Sequence, residues 1–153
     1  MLEGLKSKNI EEDLRRLGWK NFEKATQEIF EFNSFKVKRN FRFKTKRRYE
    51  IDLIAIKDNF NFCVDCKHFG KGRYKKSEIL KAIKKQEERT EQLKKFLKLN
   101  LVAKETLGIK ATRIYPLVVT LFEEEIIKEN QTFVVPVWKL NSFLNEIENY
   151  IDL

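Results

Sequence analysis

The chain has 153 residues, of which 42% are hydrophobic and 12% aromatic, and its formal net charge is +9. That size suits one domain, residues 1–153, with a core of its own, and the composition excludes a disordered chain. No window holds the ~18 uncharged apolar residues of a membrane span, and the opening MLEGLKSKNIEEDLRR lacks the apolar h-region of a signal peptide. A soluble, cytoplasmic protein with no membrane partner is therefore expected.

The first helix is predicted from about Asn9 to Phe32, with Gly18 as a candidate break. Trp19, Phe22, Ala25, Thr26, Ile29 and Phe30 recur at helical spacing and form its buried face. Strict alternation follows, with Phe35, Val37, Arg39, Phe41 and Phe43 on one face of a strand. Lys36, Lys38, Asn40, Arg42 and Lys44 make the other face basic. Lys46-Arg47-Arg48 leads into a second strand from Tyr49 to Lys57. Asp58-Asn59 is a two-residue turn whose residues tolerate positive φ, and a third strand covers Phe60 to Lys67. Gly70 and Gly72 mark a loop. Ser77 is the expected N-cap of a long helix to about Leu107, closed by Gly108. Ile114 to Phe122 is nearly continuous apolar sequence, as a strand buried on both faces requires. A last strand over Thr132 to Trp138 and a helix from about Ser142 to Ile151 complete the order α-β-β-β-α-β-β-α. That order belongs to an α/β layered domain with a mixed central sheet flanked by helices.

Charge is unevenly spread. From Lys36 to Arg48 the sequence carries eight Lys or Arg residues and no acid, and from Lys67 to Lys85 the only acid is Glu78. A polyanion would lie against the first two-thirds of the chain. By charge alone, solvated lysines and an anionic membrane surface remain alternatives to nucleic acid.

The hairpin carries the chemistry. With a two-residue turn at Asp58-Asn59, Asp52 falls opposite Asp65, and facing residues of an antiparallel pair have Cβ atoms ~4.5–5.5 Å apart. Two such carboxylates can hold one cation. Lys67, two residues beyond Asp65, shares its face. An Asp–Lys salt bridge at a sheet end is the plainer alternative. Cys63-Val-Asp-Cys66, followed by His68, has C-x-x-C spacing and raises a zinc or redox site. On a strand, however, residues three apart point to opposite faces, and no second ligand pair completes a tetrahedron. In the long helix Ile79, Ile83, Gln86, Thr90, Leu93 and Leu97 form one stripe. Gln86 is the long polar member, to be aimed at a polar partner unless it lies at a solvated edge.

The stretch YEIDLIAIKDNFNFCVDCKH resembles the signature of the PD-(D/E)XK, or restriction endonuclease-like, nucleases: an acid ending an apolar strand, a hairpin, then acid-x-Lys. Asp52 matches the first acid, and Asp65 and Lys67 match the second acid and the lysine. Ile51 replaces the proline of the family's name, and the middle acid is Asp rather than Glu. Glu23 in the first helix matches a further active-site glutamate, with Glu28 and Glu31 as alternatives. Gln86 matches a glutamine that some branches place one helix later, although Thr90 stands where the exonuclease-related branch has tyrosine. Archaeal and bacterial Mrr-type or resolvase-type domains are nearest in pattern, without the Gly-rich segment of the archaeal Holliday-junction resolvases.

The resemblance implies a three-layer core and Mg²⁺-dependent cleavage of DNA, with Mn²⁺ as a substitute. Asp52, Asp65, the Cys66 carbonyl and Glu23 would be the metal ligands. Catalytic roles would fall to Glu23, Asp52, Asp65, Lys67 and Gln86. Lys44, Lys46, Arg47, Arg48, Lys71, Arg73, Lys75 and Lys76 would contact phosphates, which position a duplex without reading its sequence. Cutting both strands would favour a homodimer. The alternatives are a non-catalytic nucleic-acid-binding domain on the same fold, or a subunit of a larger nuclease.

Overall fold

The computed structural model describes residues 10–58, 60–68, 75–110, 113–121 and 126–151, with side chains from 21 onward in the first helix and from 76 onward in the second. In chain order the elements are α1 (Ile10–Phe32), β1 (Lys36–Lys44), β2 (Arg48–Lys57), β3 (Phe60–Lys67), α2 (Lys75–Leu99), α3 (Leu101–Leu107), β4 (Ile114–Thr120), β5 (Ile127–Glu129), β6 (Thr132–Pro136), α4 (Val137–Asn145) and a 3₁₀ turn (Ile147–Asn149). The six strands form one sheet in the order β1-β2-β3-β4-β6-β5. β3, β4 and β6 run parallel to one another, whereas β1–β2, β2–β3 and β5–β6 are antiparallel. The α2–α3 segment supplies the crossover that the parallel β3–β4 pair requires.

Helices cover both faces, so the fold is a three-layer α/β arrangement around a mixed sheet. On one face Phe22, Ile29 and Phe30 of α1 and Leu140, Phe143 and Leu144 of α4 pack on Leu53, Ala55, Phe62, Val64, Leu117 and Val119. On the other, Leu93 and Leu97 of α2 meet Ile54, Ile56, Cys63 and Ile114, while Ile79 and Ile83 meet Val118 and Val134. The parallel strands are apolar on both faces for this reason. Among the described residues, no helix is long and apolar enough to cross a membrane.

Several sequence expectations are corrected. α1 runs through Gly18 without a break. The long helix begins at Lys75, placing Ser77 inside its first turn, and it ends at Leu99. There Asn100 leaves helical geometry (φ −132°, ψ 83°) and its side chain caps α3 by accepting from the Ala103 N–H; Gly108 (φ 79°) then closes α3. Asn competes with the helical backbone for its own hydrogen bonds, which favours a cap over a helix interior. β6 stops at Pro136, and α4 starts at Val137 rather than near Ser142. Leu140, Phe143 and Leu144 continue from Val137 at helical spacing and are all buried. β5, a three-residue strand closed on β6 with Asn130 at φ 54°, was not anticipated.

The alternation of β1 and β2 is not strict either. Phe35 and Val37 pack with the α1 and α4 cluster, but Phe41 and Phe43 pack with the α2 cluster. β2 does the same: Leu53 and Ala55 face α1, yet Tyr49 and Ile51 face α2. Regular pleating would keep Ile51 on the side of Leu53. The register is continuous across the change, with Arg39 opposite Leu53 and Phe41 opposite Ile51. Both strands therefore change face at one level, between Asn40 and Asp52, and Asn40 takes up φ 52° there. Asparagine is among the few residues that enter the left-handed region readily.

Candidate active site

The β2–β3 hairpin sets the site. Its register runs from Lys57 opposite Phe60 to Leu53 opposite Val64, so two residues separate the paired strands. The ladder ends there, one step short of Asp52 and Asp65, whose carboxyl groups interact directly. The Cys66 N–H donates to Asp52 Oδ2 at 3.0 Å, which ties the Asp52 carboxylate to the end of β3. Asp65 is only 5% exposed, and its Oδ2 has no hydrogen-bond partner among the described residues. Two cations flank it: Lys67 Nζ lies 3.6 Å from Oδ2 and Arg89 Nη1 lies 3.5 Å from Oδ1. Both distances are too long for a good hydrogen bond.

The electrostatics follow from this geometry. Burial pushes the Asp65 carboxyl up to about 7, Lys67 and Arg89 pull it down, and the Asp52 carboxylate beside it pushes it up again. Asp65 is nearly dry beside the half-buried carboxylate of Asp52, and the two nearby side-chain cations do not cancel the cost. A bound cation would. Among the described residues, no three His, Cys, Asp or Glu side chains converge as a metal cluster. The donors on offer are the two aspartates, including the unbonded Oδ2, and backbone carbonyls. That set fits a hard divalent ion such as Mg²⁺, which keeps water for the rest of its shell, and does not fit zinc.

Glu23 stands apart from the aspartates. It approaches from the α1 side, where its Oε2 lies 3.6 Å from Arg39 Nη2, and it adds to the field that, together with burial, raises the Cys66 thiol. Gln86 is fully buried. Its Nε2 donates to the Cys63 carbonyl at 2.6 Å, and its Oε1 accepts from Arg89 at 3.2 Å. It therefore touches Asp65 through Arg89 and presents no atom to solvent. Arg89 was missed in the sequence because an arginine three residues after Gln86 reads as a solvated helix position. The available signal was its spacing: residues three apart lie side by side on a helix, so whatever Gln86 approaches, Arg89 approaches too.

The family model for the nuclease-related domain matches residues 18–121. The chain belongs to the nuclease-related domain family. That family is PD-(D/E)XK-like, in keeping with the restriction endonuclease-like signature of the hairpin. An uncharacterized protein of Archaeoglobus fulgidus is 27% identical over 134 residues, covering 87% of this chain and 94% of its own. A crystal structure of a protein of unknown function aligns with a TM-score of 0.36 and 18% identity, covering 68% of this chain; the chain spans half of that one.

Within this nuclease-related domain the two cysteines are inert. Cys63 packs on the α2 side and Cys66 on the α1 side, so they cannot close on one metal. Burial pushes the Cys63 thiol up to about 12 and the Cys66 thiol up as well, leaving neither as a thiolate nucleophile at neutral pH.

The basic residues divide. Lys44, Arg48 and Lys76 are exposed. Lys46 and Arg47 are exposed too, but both pair with Glu88 of α2, at 3.3 and 3.0 Å. Arg47 also lies over the Tyr49 ring, 5.1 Å from its centroid. Glu88 is held below its usual range, first by the Lys46 hydrogen bond. The acid-free run in the sequence is thus partly neutralised from another element. Lys71, Arg73 and the Lys75 side chain lie outside the described residues.

Proposed function

We propose that this nuclease-related domain is a Mg²⁺-dependent DNA endonuclease working as a soluble cytoplasmic protein. The observation that carries the reading is the Asp65 carboxylate: buried, beside that of Asp52, and left with an unbonded Oδ2 near Lys67. A structural salt bridge would bring Lys67 into full contact and would not need Asp52 alongside.

Asp52 and Asp65 would hold the ion, with the Cys66 carbonyl as a third protein donor. When bound, Mg²⁺ supplies Lewis acidity at a phosphate oxygen and lowers the pKa of water. Lys67 faces the same corner with its side chain 38% exposed. It can orient an attacking water and stabilise negative charge developing on a phosphate. Arg89, fixed by Gln86, keeps Asp65 oriented. Glu23 would reach no further than an outer-shell water from the α1 side. Lys44, Arg48 and Lys76 would contact backbone phosphates, with Lys71, Arg73 and Lys75 as further contacts. Double-strand cutting would use a homodimer.

The test is cleavage of linear, nicked, flap and four-way DNAs with Mg²⁺ or Mn²⁺, comparing wild type with Asp65→Ala. Cleavage that requires the metal and disappears in the variant, with DNA binding intact, supports the reading. Binding without cleavage on every substrate returns the chain to a non-catalytic DNA-binding role.

A further inference from the structure

Thr120 carries a hydroxyl where packing alone would favour a methyl group. It is the last residue of β4, directly level with Lys67 in the parallel β3–β4 ladder and with Pro136 of β6 on its other side. It is 1% exposed, and its Oγ1 has no hydrogen-bond partner among the described residues. Val118, two residues earlier, packs against Ile79, Ala82 and Ile83 of α2. Alternation therefore puts Thr120 on the α2 side, the side of Asp65 and Lys67. A buried hydroxyl without a partner loses its hydration and gains nothing in return, whereas valine at the same volume would lose nothing. The group makes sense if its partner arrives only in the working state.

Lys67 is the side chain positioned to be that partner. Adjacent strands lie about 4.8 Å apart, so a level residue on β4 is well within the sweep of a lysine stem. In this structure Lys67 Nζ leans toward Asp65 Oδ2 without closing on it, at 3.6 Å. A divalent cation held at Asp65 Oδ2 would compete with the Lys67 ammonium for that oxygen and repel it.

We propose that Thr120 is a positioning residue for Lys67: once Asp65 Oδ2 is committed to a divalent cation, the Thr120 hydroxyl accepts a hydrogen bond from the displaced Lys67 ammonium and keeps it facing the scissile phosphate. The inference rests on the metal-dependent reading above. Without that acceptor, Lys67 is driven from Asp65 by like-charge repulsion with nowhere buried to go. Metal uptake and turnover then both suffer.

The experiment compares wild type, Thr120→Val, Thr120→Ser and Lys67→Met, and adds Thr120→Val in the Lys67→Met background. In metal-free buffer, Thr120→Val is expected to have a urea midpoint equal to or above that of wild type. By calorimetry with Mn²⁺ alone, it should bind about tenfold more weakly, the scale of one charge-assisted hydrogen bond. Thr120→Ser should restore wild-type affinity. In the Lys67→Met background the same change should leave Mn²⁺ affinity unaltered, because the two residues act as one pair. In cleavage, Thr120→Val should lower kcat and leave KM for DNA unchanged.

A lower metal-free midpoint overturns the inference, since the hydroxyl then has a structural partner. Unchanged Mn²⁺ affinity in Thr120→Val, or an equal loss with and without Lys67, also overturns it while leaving the metal-dependent reading standing. Wild-type protein that takes up no Mn²⁺ removes that reading, and this inference with it.

Discussion

Asp65→Asn is expected to make the metal-free protein more stable at alkaline pH, an unusual outcome for a change in an active site. Burial holds the Asp65 carboxyl at about 7, far above its ordinary 3.8. Below about pH 4 the folded and unfolded chains both keep the proton, and Asp65 costs nothing. Between about pH 4 and pH 7 the unfolded chain releases a proton that the folded chain retains, so stability falls as pH rises, and the loss is complete above the folded value. At about 1.4 kcal/mol for each pH unit separating the two values, the cost above pH 7 is roughly 4 kcal/mol. Asparagine keeps the shape and cannot ionise, so it escapes this loss. With urea slopes of about 2 kcal/mol per molar for a chain of this size, the variant's midpoint at pH 8 should exceed wild type by roughly 2 M. The assay is urea unfolding from pH 4 to pH 8 in EDTA, read as the difference between the two proteins so that other titrating groups cancel. The curves should converge at pH 4 and separate toward pH 7. Saturating Mg²⁺ should raise wild type alone and close the gap. Midpoints that run parallel across the range would refute the claim that Asp65 is a buried, uncompensated charge.

Other outcomes follow from the same contacts. Gln86→Leu leaves the Cys63 carbonyl and Arg89 without their partner and should cost about 1–3 kcal/mol in urea unfolding; an unchanged midpoint would mean the buried amide contributes nothing. Glu88→Gln releases Lys46 and Arg47 from their ion pairs. Affinity for non-specific duplex DNA should rise, and the slope of log affinity against log salt should steepen by about 1–2. An unaltered slope would place DNA elsewhere on the surface. Asn100→Ala removes the cap on α3 and should lower stability by about 1 kcal/mol without touching metal-dependent cleavage.

The parts of this fold legible in the sequence are those set by short-range geometry. A two-residue connection sets the hairpin register, and the pairing runs from Lys57–Phe60 to Leu53–Val64 as that register requires. The α2 stripe from Ile79 to Leu97, Gln86 included, is buried as helical spacing requires. Other features depend on partners distant in sequence, which no local pattern encodes. Glu88 closes on a basic loop some 40 residues away. The Val-Val-Pro-Val-Trp run at 134–138 is β-branched enough to read as strand throughout, yet helix packing against α1 claims it from Val137 onward. Asn100 sits between Leu99 and Leu101 in what looks like uninterrupted helix, and only its cap geometry discloses the break.

The face change at Asn40 and Asp52 explains why the site lies where it does. A carboxylate in a regular strand is offered to one layer of a three-layer fold and hidden from the other. Here β1 and β2 switch sides at one level, and Asp52 occupies the switch. On the α1 side Glu23 pairs with Arg39 of β1, and the Cys66 N–H holds Asp52. From the α2 side Arg89 and Gln86 support Asp65. The two carboxylates are thereby supported from different elements, Asp52 by the end of β3 and Asp65 by α2, while the apolar strands beyond them remain closed on both faces. The positive φ at Asn40 accompanies the face change at the level from which Asp52 reaches the end of β3.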